Sequence, residues 1–164
     1  MTQVATIREK HDGALGDTMN LRLWLRLLSC TMVVEKRLKR RLADQFDATL
    51  PRFDVLAALD RHPLGMTMGA LSSSLLVSNG NVTALVRLLV RDGHVAISPS
   101  PTDRRVSIVQ LTQSGAAHFE TLASAHHEWV DAMMNSLNRE QREKLFDLLG
   151  ALKMSIAGED ANDA

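Results

Sequence analysis

The chain has 164 residues, 45% apolar and 23% charged, with 19 basic and 19 acidic side chains. That length suits one domain with its own core, and the composition excludes a disordered, fibrous or membrane-embedded chain. A single cysteine, Cys30, excludes an intrachain disulfide framework and points to a reducing compartment.

Residues 1–17 are mixed and polar, lack the apolar core of a secretory signal, and read as a flexible N-terminal arm. From Thr18 to about Asp47 there is no Pro or Gly, and Leu21, Trp24, Leu25, Leu28, Met32, Leu38, Leu42 and Phe46 recur at helical spacing. The first half of this helix is apolar nearly all round, so it needs cover all round, and a second subunit is the natural supplier. Arg22 and Arg26 interrupt LRLWLRLL, and no apolar run reaches the ~20 residues of a membrane span, so the expected location is the cytoplasm. The second half, EKRLKRR, turns basic.

A second helix is expected from near Pro51 to about Arg61, and HPLG breaks it. Thr67 is placed to cap a short third helix, MGALSSSLL. Ser78 is placed to cap a fourth, with Val82, Leu85, Leu88 and Leu89 on one face and Gly93 as its left-handed stop. The period then changes to two. Val95 and Ile97 precede the turn SPSPTD, after which Val106, Ile108 and Gln110 share one strand face and Ser107 and Val109 the other, giving a β-hairpin with a long polar tip. Thr112 caps a fifth helix over roughly 113–136, and Asn138 with Gln141 forms a capping box for a sixth, to about Ala157. Residues 158–164 form a polar tail.

Charge is unevenly spread: 21–50 carries +4 and 51–112 carries +2, against −1 over 1–20 and −5 over 113–164. One face can therefore meet an anionic partner while the rest repels it. Three short helices followed by a hairpin tipped with Arg104 and Arg105 make a winged helix-turn-helix, whose second helix enters the major groove by its N-terminal end. Ser78, Asn79, Asn81 and Thr83 there are short hydrogen-bonding side chains suited to base edges or phosphates, Gly80 leaves room for close approach, and Arg87 lies one turn on. The arginine tip suits the negative potential of a minor groove. In isolation SNGN is also an ordinary cap and turn, and two loop arginines an ordinary solvated tip. Their joint order and spacing favour DNA.

The stretch TMGALSSSLLVSNGNVTALVRLLVRDGHVAISPSPTDRRVSIVQLTQSGAAHFE, with its long flanking helices, resembles the multiple antibiotic resistance regulator (MarR) family over about residues 20–157. The resemblance implies a fold that is mainly α with a small β-hairpin wing. A single domain would span 18–157, with dimerisation helices at 18–50 and 113–157 and the winged helix-turn-helix at 51–112. It implies a homodimer on a pseudo-palindromic operator in double-stranded DNA, probed by Ser78, Asn79, Asn81, Thr83 and Arg87. Arg105 would enter the minor groove and Asp103 would brace the wing by pairing with a nearby basic group. Two positions depart from the family's pattern: Ala84, and Ala96 with Ile97, stand where basic residues are common, which leaves phosphate contact to EKRLKRR, a segment that reads first as a solvated helix face.

The family further implies a small aromatic effector where the dimerisation helices meet the DNA-binding lobe. Arg22, Trp24, Arg26, Arg52, Phe53, Met66 and Met68 are the candidates, an apolar slot with arginines for a carboxylate or an aryl-coenzyme A thioester. LRLWLRLLSC and LPRFDVLAALDR look similar to regulators of aromatic-acid catabolism. The expected function is a ligand-released repressor without cofactor, metal or catalytic residues. The alternatives are a repressor sensing thiol oxidation through Cys30, which the apolar half-helix argues is a buried inert thiol, and a winged-helix module for protein interaction. His127 and Asp131 stand one turn apart, but nothing at fixed spacing supplies a further metal ligand, and no phosphate loop or nucleophile elbow is present.

Overall fold

The uninterrupted helical pattern after Thr18 folds as one long helix, α1 (Met19–Phe46). The computed structural model describes residues 19–103 and 105–160, apart from the side chains of Asn79, Glu159 and Asp160. The expected arm, Thr18, Arg104 and residues 161–164 lie outside the described residues. The chain divides into two compact units, the first ending at His126 and the second starting at His127.

In the first unit, α2 (Leu50–Asp60) begins with Pro51 in its first turn, where a missing N–H goes unnoticed. Helix α3 (Met68–Leu75) is capped by Thr67, whose hydroxyl accepts from the Ala70 N–H at 3.1 Å. Ser78 precedes α4 (Asn79–Arg91) with the extended backbone of a cap but makes no side-chain capping bond. Gly93, at φ +77, stops α4 in the left-handed conformation expected of it. Strands β2 (Val95–Pro99) and β3 (Ser107–Leu111) pair antiparallel from Val95↔Leu111 to Pro99↔Ser107.

Two expectations change. The hairpin gains a third strand, β1 (Met66–Thr67), which pairs antiparallel with β3 through Met66↔Val109 and Thr67↔Ile108, giving the order β1-β3-β2. Two residues are too few to show alternation. Gly65 permits the pairing: its φ is +81, and a side chain there would meet the Val109 carbonyl oxygen at 2.7 Å. Of the two expected faces of β3, the one carrying Val109 turns to the core, where Val109 is buried completely. On α4 the buried stripe is Val82, Val86 and Leu89, one turn apart each time, and Leu88 is exposed. These side chains join Leu42, Val55, Leu56, Leu59, Leu71 and Leu122 in the core.

Helix α5 (Gln113–Met134) runs from the first unit into the second. In the second unit α6 (Arg139–Asp160) starts with a reciprocal capping box: Asn138 N–H donates to Gln141 Oε1 and Gln141 N–H donates to Asn138 Oδ1, both at 2.9 Å. Its surface leaves Leu145, Phe146, Leu148, Leu149, Met154 and Ile156 exposed. No single helix among the described residues is long and apolar enough to cross a membrane.

Candidate nucleic-acid interface and an adjoining cavity

Because Val82, Val86 and Leu89 anchor one side of α4, the other side is presented outward. Asn81 and Arg87 are exposed, Ser78 is exposed just ahead of the helix, and Thr83 is half-buried. The four leading N–H groups of a helix and its positive dipole end suit phosphate. At Gly80 a side chain would meet nothing within 4 Å, so the space for a close partner exists. In the wing, Arg105 is exposed. Asp103 braces the turn through the backbone: its carboxylate accepts from the Arg105 N–H at 2.9 Å, and its carbonyl accepts from Val106 N–H at 2.9 Å. The acid thus shapes the tip without drawing on the Arg105 guanidinium.

The joint between α4 and the wing is built around Thr112. Its hydroxyl donates to the Gly93 carbonyl at 2.7 Å and accepts from the Gly115 N–H at 2.9 Å, while its own N–H donates to the His94 carbonyl at 3.0 Å. One residue therefore caps α5 and fastens it to the end of α4.

Beside this joint lies a cavity of about 210 Å³, lined by Phe46, Arg52, Phe53, Asp92, His94 and His118 among others. Asp92 sits at the C-terminal, negative end of α4, where an acid is unfavourable unless a cation answers it. Arg91 and Arg52 do so; the Arg91 hydrogen bond, with help from Arg52, holds the Asp92 carboxyl below its ordinary range. His94 and His118 stack face to face at 4.2 Å, and the buried His94 Nδ1 has no hydrogen-bond partner among the described residues. Phe53 is buried, stacked on His126 at 4.5 Å and tilted against Phe119 at 5.6 Å.

Of the residues expected to hold an effector, this cavity brings together Arg52 and Phe53. Arg22, Trp24 and Arg26 lie exposed on the first half of α1, Met66 is buried in β1, and Met68 opens α3; none of these lines the cavity. The expectation of a buried Cys30 is corrected: its thiol is exposed on α1, because the helix buries only Leu25, Ser29, Leu38 and Leu42. His127 and Asp131 pair at 3.2 Å on the surface, and no three candidate ligands among the described residues cluster around a metal position.

The MarR family profile matches residues 46–106, across α2, α3, α4 and into the wing. BadR of Rhodopseudomonas palustris, a transcriptional activatory protein, is 37% identical over 124 residues, which are 73% of this chain and 70% of BadR. This chain belongs to the MarR family. It is a DNA-binding transcriptional regulator and not an enzyme. A MarR family regulator of solved structure from Silicibacter pomeroyi is 31% identical, with a TM-score of 0.71 over 84% of this chain and 94% of that one. A cysteine-to-serine mutant of E. coli MarR, solved in complex with operator DNA, is 26% identical, with a TM-score of 0.71 over 84% of this chain and 99% of that one.

In this MarR family regulator the cavity sets an acid sensitivity. Burial, aided by His94 and Arg52, pushes His118 below its ordinary 6.5. The unfolded chain then takes up a proton more readily, so stability is full above 6.5 and is lost as pH falls through the lower folded value. Asp92 follows in its own window: its stabilisation is present above 3.8 and lost on acidification below that. Melting temperature should fall from about pH 7.5 to about pH 5, and less steeply in His118→Gln; equal slopes would remove His118 as the source.

Proposed function

We propose that the chain is a homodimeric repressor that holds a pseudo-palindromic operator and is released from it by a small aromatic acid or its coenzyme A thioester. The observation that carries the DNA half is the outward, polar N-terminal face of α4, with Asn81 and Arg87 exposed and the opposite face locked in the core. The E. coli MarR complex with operator DNA supports the same use of this fold. The exposed apolar side chains of α1 (Leu21, Leu23, Trp24, Met32) and of α6 support pairing of two copies. A cavity of about 210 Å³ is below the roughly 300–1,000 Å³ of drug-sized sites, so it admits one ring with its carboxylate, and the nucleotide of a thioester stays outside. A carboxylate there competes with Asp92 for Arg52, which loosens the tie between α2 and the end of α4. BadR is named as an activator; a reporter that falls when the acid is added would assign that sign here in place of repression.

Binding to a duplex recovered from a randomised pool tests the reading. Affinity should drop steeply with salt, by about 10³–10⁵ between 50 and 200 mM for six to ten phosphate contacts. Arg105→Ala should weaken all sequences alike, and Asn81→Ala should cost about 1–3 kcal/mol and relax preference at one base position. Unchanged binding in both variants removes the wing and the recognition helix together. Benzoate should lower wild-type affinity and leave Arg52→Ala unmoved. Release by peroxide from the wild type but not from Cys30→Ser would instead favour the thiol reading.

A further inference from the structure

Leu76 is the most exposed large apolar side chain among the described residues, at 93%. It also closes α3 in the left-handed conformation, φ 54 and ψ 36, with its N–H donating to Ser72 and Ser73 carbonyls and the Val77 N–H donating to Ser72 at 3.3 Å. Glycine or asparagine fills such a position easily, whereas the Cβ of leucine is crowded against the following carbonyl. The strain returns no burial in the free chain. A strained residue that gains nothing from its own fold is a reason to look for a partner.

The place of Leu76 narrows the partner. It stands two residues ahead of Ser78, within about 7.6 Å of it along the backbone, on the turn that leads into the N-terminal end of α4. Val77 beside it is also exposed, and the neighbours Ser73, Ser74, Ser78 and Gly80 are exposed and polar or small. The apolar surface is thus an island the size of one or two side chains, too small for a protein interface. The major groove offers an apolar feature of matching size, the C5-methyl group of thymine.

We propose that Leu76, with Val77 beside it, packs against a thymine methyl in each operator half-site, a specificity contact that rests on α4 being the helix in the groove. The probe is the duplex that the wild-type full-length chain recovers from a randomised pool, with its thymines replaced one at a time by deoxyuridine, which lacks only that methyl. At one position per half-site wild-type affinity should fall about fourfold, the effect of one buried methyl-sized group. Leu76→Gly and Leu76→Asn, which lose the contact in both half-sites, should bind the thymine duplex about fifteenfold more weakly than wild type and ignore deoxyuridine there. Both should melt at or above the wild-type temperature, so misfolding is not the cause. A wild type indifferent to every deoxyuridine, or variants that keep its sensitivity, overturns the contact. If Asn81→Ala still alters base preference in that case, α4 keeps its place in the groove and Leu76 alone loses its role.

Discussion

Gly115→Ala should lower the melting temperature by about 10 °C, the effect of roughly 3 kcal/mol in a domain of this size. The added methyl would collide with the His94 carbonyl oxygen, far inside van der Waals contact, and lie 2.7 Å from the carbonyl carbon. Both are backbone atoms, and the oxygen is already engaged by Thr112. Neither can rotate away as a side-chain end would, so α5 must shift or the Thr112 bonds must stretch. Circular dichroism melts check this, with Gly80→Ala as the control: nothing lies within 4 Å of a side chain there, so helix propensity alone should leave stability equal or slightly higher. A Gly115→Ala protein melting within about 2 °C of wild type would mean that the α4–β2 joint gives way freely.

Phe53→Ala should be about as damaging, at about 3–5 kcal/mol, the usual range for emptying a phenylalanine site in a core. The ring is 7% exposed and lies against His126 and Phe119, so its loss leaves a hole that those rings cannot close. Phe53→Leu should retain most of the stability, because it keeps apolar volume. Chemical denaturation gives the comparison directly. If Phe53→Ala unfolds at the wild-type denaturant concentration, the residue belongs to the lining of the cavity rather than to the core. If both variants weaken benzoate release but only the alanine unfolds early, it belongs to both.

What the sequence revealed best were features set by neighbours along the chain. The Thr67 cap, the Gly93 stop, the Thr112 cap and the Asn138–Gln141 box each need only three or four residues to be recognised, and each forms the expected bonds. The Asp103 turn that presents Arg105 and the exposed Ser78 and Asn81 around the start of α4 were legible for the same reason. Features set by distant packing were not. Val86 rather than Leu88 faces the core because α4 rotates to suit its partners, and β1 exists only through its pairing with β3. The Arg52–Asp92 pair stayed hidden because its partners stand forty positions apart, although an acid at a helix C-terminus calls for a cation. His94 and His118 come from different elements, and nothing in the spacing announces that their rings stack.

The Thr112 hydroxyl makes α4 a lever. Its fulcrum is the joint with Gly93, and its working end is the N-terminus, about 20 Å away for a helix of 13 residues. A tilt of about 5° at the fulcrum displaces that end by about 1.7 Å, more than a hydrogen bond to a base edge tolerates. Under the release proposed above, a ligand would have no need to reach the groove or rearrange the wing; a small push beside Asp92 would be magnified along the rod until the tip no longer fitted its slot.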